Sequence, residues 1–108
     1  MTTRTHTCGE LNSNDINASV ILNGWVNSVR LHGQVIFVDL RDRYGKTQIV
    51  FNSEDYSGDF EVAKKLSMED VLSISGTVKA RDTGAVNPDL STGEIEVIVS
   101  EMEMLNEA

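Results

Sequence analysis

The chain has 108 residues, enough for one domain with its own core but few for a complete enzyme with a nucleotide site. Hydrophobic residues make up 40% of it, yet no apolar run approaches the roughly 20 residues that cross a bilayer, so no membrane association is expected. A net charge of -8 disfavours a protein that coats phosphate backbones, because that binding depends on Lys and Arg. Residues 1–9 lack the apolar stretch of a signal peptide, and a cytoplasmic location is expected.

The charge is unevenly distributed along the chain. Residues 25–48 form a positive stretch, in which four cations outweigh two aspartates. Such a distribution favours weak, local binding that reads bases rather than a phosphate backbone. Cys8 is the single cysteine, which excludes an internal disulfide, and with His6 and His32 it supplies no zinc-ligand spacing. We therefore expect no metal site.

The first half of the chain predicts three meandering strands. They cover residues 20–30, about 35–41 and 47–52, and a glycine-containing hairpin loop, residues 42–46, joins the last two. Val20, Leu22, Gly24 and Val26 share one face of the first strand. Gly24 is expected to mark a bend or bulge, as glycine within a strand often does.

The second half predicts a short helix and two further strands. Apolar spacing indicates a helix over about residues 59–67, and alternation indicates strands over 71–81 and 94 to about 105, separated by a long loop at 82–93. The inward residues are Leu72, Ile74, Gly76, Val78, Ala80, Ile95, Val97 and Val99. This order predicts an all-β fold, a five-stranded OB-fold barrel with a short α-helix between strands 3 and 4. Residues 1–108 are expected to form this single domain.

Phe37 lies on the outer face of its predicted strand. Ile36, Val38 and Leu40 form the core set, whereas Phe37 shares the other face with Asp39. Near the cations of residues 25–48, an outward ring offers a platform on which an unpaired base can stack. The alternative is a ring covered by a loop or by a neighbouring domain.

Four polar side chains near the predicted strand 2 and 3 face could read base edges. Gln48 offers a donor and an acceptor, which suits uracil, and Glu96 offers only acceptors, which suits the N–H donors of guanine. Arg30 and Arg81 offer only donors, for cytosine or phosphate. Simple alternation from Val26 turns Arg30 inward unless the strand ends or bulges there. Taken singly, each residue also fits an ordinary solvated surface.

Motifs for catalysis are missing from the sequence. It contains no Walker-type phosphate loop, no His-Glu-x-x-His and no Gly-x-Ser-x-Gly pattern. The residues therefore predict a domain that binds a ligand and does not transform it, with no cofactor of its own.

Five blocks of the sequence resemble one family in collinear order. They are RTHTCGEL at 4–11, GWVN at 24–27, IFVDLRDR at 36–43, GTVKAR at 76–81 and TGEIEV at 92–97. The chain is similar to the N-terminal anticodon-binding domain of bacterial-type aspartyl-tRNA synthetase over nearly its whole length. The resemblance implies that its partner is tRNA, bound through the anticodon loop.

The resemblance also implies a role for individual residues. Phe37 would stack on the middle base of a GUC anticodon, Gln48 would hydrogen-bond that uracil, and Glu96 would read the first base. Arg30 and Arg81 would line the pocket of the third base and its backbone. Asn87 lies in a loop where the family places further contacts.

Two positions bear on specificity within this family. His32 and the Gly84-Ala85 pair are similar to members that charge the asparagine tRNA as well as the aspartate tRNA. The family's catalytic domain, which binds ATP and Mg²⁺ and mediates most homodimer contacts, would lie downstream, with residues 101–108 beginning a linker to it. The parent would be an aspartate-tRNA ligase, and this part alone would be non-catalytic.

Two other classes of function remain open from sequence. A free-standing OB-fold module for single-stranded nucleic acid would usually carry a basic groove with several aromatic residues, which an aromatic content of 6% and the acidic balance disfavour. An OB-fold module for protein or oligosaccharide binding is compatible with the acidity.

Overall fold

Five β-strands, one short α-helix and one 3-10 turn account for the secondary structure of the residues that the structure describes. The structure is a computed structural model that describes residues 4–58, 60–81 and 92–106. The 3-10 turn Ser13–Asp15 precedes β1 (Ser19–His32), β2 (Val35–Asp42), β3 (Gly45–Asn52), α1 (Phe60–Lys64), β4 (Val71–Ala80) and β5 (Ile95–Asn106). The predicted succession of three strands, a helix and two strands is confirmed.

The strands close into one barrel in the order β1-β2-β3-β5-β4, with β4 also pairing with β1. All neighbours are antiparallel except β3 and β5, which run parallel and pair at Ile49 with Val97 and Val50 with Ile98. Closure satisfies the strand edges that an open sheet would leave unpaired. This is the five-stranded OB-fold architecture that the sequence predicts.

Alternating apolar residues of all five strands fill the barrel interior. The fully buried side chains include Leu22 and Val26 from β1, with the three core residues expected of β2. Each such side chain contributes about 1.5–3 kcal/mol by its removal from water. Ala63 of α1 and Leu66 just after it are also buried. The core residues predicted by alternation are therefore largely confirmed (Val20, Leu22, Val26, Ile36, Val38, Leu40, Leu72, Ile74, Val78, Ile95, Val97, Val99).

The N-terminal segment is fixed to the β2–β3 hairpin by buried hydrogen bonds. The Cys8 N–H donates to Asp42 Oδ2 at 2.8 Å, and Thr47 Oγ1 donates to the Cys8 carbonyl at 2.6 Å. Asp42 Oδ1 also accepts from the N–H groups of Tyr44 and Gly45, which closes the hairpin. These contacts hold the end of β2 and the start of β3 in register at their hairpin.

Several predicted details are wrong at the ends of elements. The helix is shorter than 59–67 among the described residues. Ala80, expected inside, is exposed, and it lies at the end of β4 beyond the residues that pair with β1, the last of which is Thr77 opposite Ser19. Ser73, expected outside, is 4% exposed. Residues 101–106, expected to begin a linker, continue β5 and pair with β4.

The expected irregularity in β1 lies three residues beyond Gly24. Pairing of β1 with β2 shifts register between Val26 and Ser28, which is a β-bulge. Gly24 serves a different purpose, since a Cβ at this position would lie 2.4 Å from the Arg41 carbonyl oxygen. Glycine therefore permits the close approach of β1 and β2 next to the bulge.

Candidate nucleic-acid interface

Phe37 lies on the outer face of the barrel, in the row of side chains that crosses β1, β2 and β3. Its direct neighbours across the strands are Arg30 and Val50. The ring is half-buried, whereas Ile36 and Val38 on either side are fully buried in the interior. The His32 ring meets it edge-on, with centroids 5.6 Å apart and an interplanar angle of 75°. Phe37 is thus outside the core, as its alternation predicts.

The bulge in β1 brings Arg30 to the same face. Without the register shift between Val26 and Ser28, alternation from Val26 would direct Arg30 into the core. With it, Arg30 pairs with Phe37 and its side chain is 44% exposed. Of the two conditions expected to free Arg30, a strand end or a bulge, the structure shows the bulge.

A continuous line of hydrogen bonds runs across four strands beside Phe37. Arg30 Nη1 donates to Asp39 Oδ2 at 3.1 Å, and Arg30 Nη2 donates to Gln48 Oε1 at 3.1 Å. Gln48 Nε2 then donates to Glu96 Oε1 at 3.2 Å. At the other end, Ser28 Oγ donates to Asp39 Oδ2 at 2.7 Å. We call these five residues, Ser28, Asp39, Arg30, Gln48 and Glu96, the polar chain.

Gln48 is more deeply placed than alternation predicts. Its side chain belongs to the outer face, yet only 7% of the residue is exposed, and its neighbour Val50 is 4% exposed. The reason for the burial of Gln48 is that the longer side chains of Arg30 and Glu96 reach across the outer face and contact its amide. Gln48 contacts Arg30 on one side and Glu96 on the other, so it is a positioned group rather than a freely solvated one.

Arg81 completes the charged part of the face. Its backbone N–H donates to the Glu94 carbonyl at 3.0 Å, and its Nε donates to the Ile95 carbonyl at 2.9 Å. Burial lowers the pKa of the Arg81 guanidinium, an effect that the nearby charges of Glu96 and Asp39 oppose and that Arg30 reinforces. The electrostatic contacts therefore place Arg81 beside the polar chain.

The structure brings together most of the residues predicted from sequence. Arg30, Phe37, Gln48, Arg81 and Glu96 lie on one side of the barrel, and His32 contacts Phe37. Two others, Asn87 and Gly84, lie outside the described residues, and their roles stay predictions.

Sequence reasoning assigned no role to Asp39 or Ser28. The alternation placed Asp39 on the face of Phe37, and that was the available signal. Ser28 gave no signal, because its position opposite Asp39 follows from the register after the bulge. Burial alone would raise the pKa of the Asp39 carboxyl. Hydrogen bonds from Arg30 and Ser28, together with the charges of Arg30 and Lys46, outweigh burial, and the pKa is lowered below its ordinary value.

This face can bind a flat ring and recognise its edge. It offers a half-exposed aromatic surface beside donors and acceptors held at fixed positions. Within residues 4–58, 60–81 and 92–106, no group of three His, Cys, Asp or Glu side chains is arranged to bind a metal ion. No helix in the same ranges has the length and apolarity to cross a membrane. The architecture and the face together are typical of OB-fold domains that bind nucleic acids.

Comparison with protein families gives the particular family. Residues 20–105 match the tRNA anti-codon family model, described as an OB-fold nucleic acid binding domain, and the chain belongs to this family. It is also 53% identical over 103 residues to the aspartate-tRNA(Asp/Asn) ligase of Salinibacter ruber, and 51% identical over 105 residues to that of a Caulobacter species. These matches cover 95% and 97% of the chain but 16% and 17% of the relatives.

The chain therefore spans about one sixth of the length of these curated relatives. It corresponds to their N-terminal region, the anticodon-binding part rather than the catalytic part. The resemblance found from the five sequence blocks is confirmed at the level of the family.

Solved structures with the same fold include both synthetases and OBodies bound to hen egg-white lysozyme. The asparaginyl-tRNA synthetase of Pyrococcus horikoshii aligns with a TM-score of 0.82 at 28% identity, covering 100% of this chain and 23% of that one. An OBody bound to hen egg-white lysozyme aligns with a TM-score of 0.84 at 29% identity, covering 100% of this chain and 98% of the OBody. The barrel is thus shared by chains that carry different ligands.

Proposed function

We propose that this domain binds the anticodon loop of tRNA(Asp) on the outer face that carries Phe37 and the polar chain. The observation that carries the proposal is the half-buried Phe37 ring lying outside the core beside the hydrogen-bonded Arg30, Gln48 and Glu96. A base stacked on such a ring gains about 1–3 kcal/mol. The family match to anticodon-binding OB-fold domains supports the same ligand.

In this proposal, different residues recognise each of the three anticodon bases. Phe37 stacks on the middle base, and Gln48 hydrogen-bonds it through its free donor and acceptor capacity. Glu96 accepts hydrogen bonds from the N–H groups of a guanine in the first position. Arg30 and Arg81 supply donors to the third base or to a phosphate, and Asn87 is expected to add a contact from residues 82–93.

The test is the binding of anticodon stem-loops to the purified chain, followed by fluorescence anisotropy. A GUC stem-loop should bind more tightly than one with another middle base by a factor of about ten or more, since a mismatched edge costs about 1–3 kcal/mol. Equal affinity for GUC, its middle-base variants and poly-dT would support the non-specific single-strand module instead.

A protein-binding function is the second candidate, because OBodies with this fold bind hen egg-white lysozyme. On that account, the stem-loops would show no measurable affinity. A protein ligand would also bind the Phe37→Ala and Gln48→Ala variants as tightly as the unchanged chain. These results would replace the anticodon proposal.

Relaxed reading of the third base is the finer part of the proposal. The similar ligases of Salinibacter ruber and Caulobacter carry the description Asp/Asn, and His32 lies against Phe37 at this end of the face. We expect stem-loops ending in C or U to bind within about threefold of each other, less than the tenfold that 1.4 kcal/mol would produce. A strong preference for C would contradict this part alone.

The wider role follows from the relatives. The domain would serve as the recognition part of an aspartate-tRNA ligase, the activity that the names of the relatives give. The ATP, Mg²⁺ and homodimer contacts implied by the family resemblance would belong to a catalytic domain outside this chain. A full-length ligase carrying Phe37→Ala should lose charging of tRNA(Asp) while it keeps tRNA-independent activation of aspartate by ATP.

A further inference from the structure

The polar chain fixes the orientation of the Gln48 side-chain amide. Arg30 has only donors and the Glu96 carboxylate has only acceptors, so the amide oxygen faces Arg30 and the NH2 group faces Glu96. Turning the amide by 180° would place NH2 against a guanidinium and oxygen against a carboxylate. Because Gln48 is 7% exposed, water has little access to relieve that mismatch.

The position of Arg30 depends in turn on Asp39. The Arg30 side chain is 44% exposed, and an arginine this exposed has many accessible rotamers. Its ion pair with Asp39, 3.1 Å between Nη1 and Oδ2, selects one of them, and the Asp39 side chain itself is 18% exposed. Ser28 Oγ donates to the same carboxylate oxygen at 2.7 Å and itself accepts from Arg30 Nη1 at 3.4 Å. Loss of the Asp39 carboxylate would therefore loosen Arg30 and weaken one of the two contacts that orient the Gln48 amide, leaving only the contact with Glu96.

A fixed amide discriminates between pyrimidines better than a rotating one. Uracil presents an N–H donor between two carbonyl acceptors, whereas cytosine presents an amino donor next to a ring acceptor. Stacking on Phe37 sets the plane of the base. Because uracil and cytosine present their donors and acceptors in opposite order, they require opposite orientations of the Gln48 amide. An amide free to turn would accept both, at little loss of total affinity.

We propose that Asp39, with Ser28, is a positioning residue for base discrimination, acting through Arg30 on the orientation of the Gln48 amide. This inference rests on the proposed function for its ligand, but the orientation of the Gln48 amide can be tested in the free protein. A role in discrimination changes the ratio of affinities for U and C at the middle position. A role only in stabilising the fold would instead weaken binding of both stem-loops equally.

The first test uses no RNA and reads the side-chain NH2 signals of Gln48 in a 15N-labelled sample. In the unchanged chain, these signals should be well separated and protected from exchange with water. In Asp39→Asn, they should move towards the values of solvent-exposed glutamines, and the same shift, smaller, is expected in Ser28→Ala. Asp55→Asn is the matched control, since Asp55 is exposed, carries the same charge and takes no part in the hydrogen bonds of the polar chain. Unchanged Gln48 signals in both Asp39→Asn and Ser28→Ala would overturn the inference.

The second test measures stem-loop affinity for the same variants. The U-to-C ratio should fall about threefold to tenfold in Asp39→Asn and less in Ser28→Ala, with no change in Asp55→Asn. Weaker binding of both stem-loops by the same factor would indicate a structural role and contradict the proposal. If Asp39→Asn fails to fold, Ser28→Ala and Asp39→Glu provide the test. Asp39→Glu keeps a carboxylate, so its U-to-C ratio should be closer to that of the unchanged chain than the ratio of Ser28→Ala.

The two tests separate failure of this inference from failure of the proposed function. If the unchanged chain binds no stem-loop, the anticodon function fails, and the role of Asp39 in discrimination fails with it. If the unchanged chain discriminates and Asp39→Asn discriminates equally well, the anticodon function stands and the positioning role is wrong.

Discussion

Phe37 is the residue on which the proposed anticodon binding should depend most, because it is the large aromatic side chain beside the polar chain and outside the core. Phe37→Ala should weaken stem-loop binding by about 1–3 kcal/mol, or about 5-fold to 150-fold. The folded state should change little, since the ring is absent from the buried cluster. Anisotropy titrations measure the effect, and Tyr44→Ala, at an exposed ring beside the β2–β3 turn, is the control. Equal affinities for Phe37→Ala and the unchanged chain would exclude stacking.

Cys8 is expected to be chemically inert in the folded protein. The residue is fully buried, and burial, followed by the charge and hydrogen bond of Asp42, raises the pKa of its thiol far above the ordinary value of 9.0. The thiolate is the reactive form, so a disulfide reagent should label Cys8 only after unfolding. Complete labelling in native buffer within the time needed in urea would contradict this prediction.

The same shift has a consequence for stability at alkaline pH. A thiol whose pKa is raised in the folded state contributes stability that is present below its unfolded pKa and declines as pH rises above it. Above about pH 9 the Cys8 thiol loses its proton in the unfolded chain but keeps it in the folded chain. Above that pH, the free energy of unfolding of Cys8→Ala should therefore fall less steeply with rising pH than that of the unchanged chain.

At the scale of single elements, the strand pattern and the outward face of Phe37 were readable from sequence, whereas the depth of Gln48 and the position of the bulge in β1 were not. Alternation in Ile36, Val38 and Leu40 predicts β2 and its buried face because local pleating fixes both. The depth of Gln48 depends on pairing of β3 with β5, whose residues are 48 positions away at the Gln48–Glu96 contact. Arg30 depends on a bulge that no local pattern marks at Asn27.

Gly24 gives an element-scale prediction about the approach of β1 to β2. A methyl group at this position would lie 2.4 Å from a backbone oxygen of Arg41, so one of the strands would have to move. We expect Gly24→Ala to lower the free energy of unfolding by about 1–3 kcal/mol, measured by urea denaturation.

The matched control is Gly33→Asn in the β1–β2 turn. Gly33 has φ of +59° and open space around the position of a Cβ, and asparagine tolerates this conformation. Its unfolding free energy should stay within about 0.5 kcal/mol of the unchanged chain. If Gly24→Ala were as stable as Gly33→Asn, the tight approach at Gly24 would not limit the fold.

At the scale of the whole molecule, the net charge of -8 restricts how the domain binds RNA. The cations available near the face are few, with Arg30 already paired to Asp39. We expect at most about four phosphate contacts, hence a slope of log K against log salt no steeper than about -3. Titrations at several salt concentrations measure it. Lys46→Gln should reduce the slope by about 0.7 and leave the U-to-C ratio unchanged, and a slope near -7 would contradict base-led recognition.

The most direct test of the whole account is a chemical-shift titration of the 15N-labelled domain with a GUC anticodon stem-loop. The account predicts that shifted signals cluster in residues 30–48 and 81–96, the two ranges that include Phe37 and Glu96. Shifts concentrated instead on the side where β1 meets β4, around Ile21 and Ser75, would show that the RNA binds elsewhere and would contradict it.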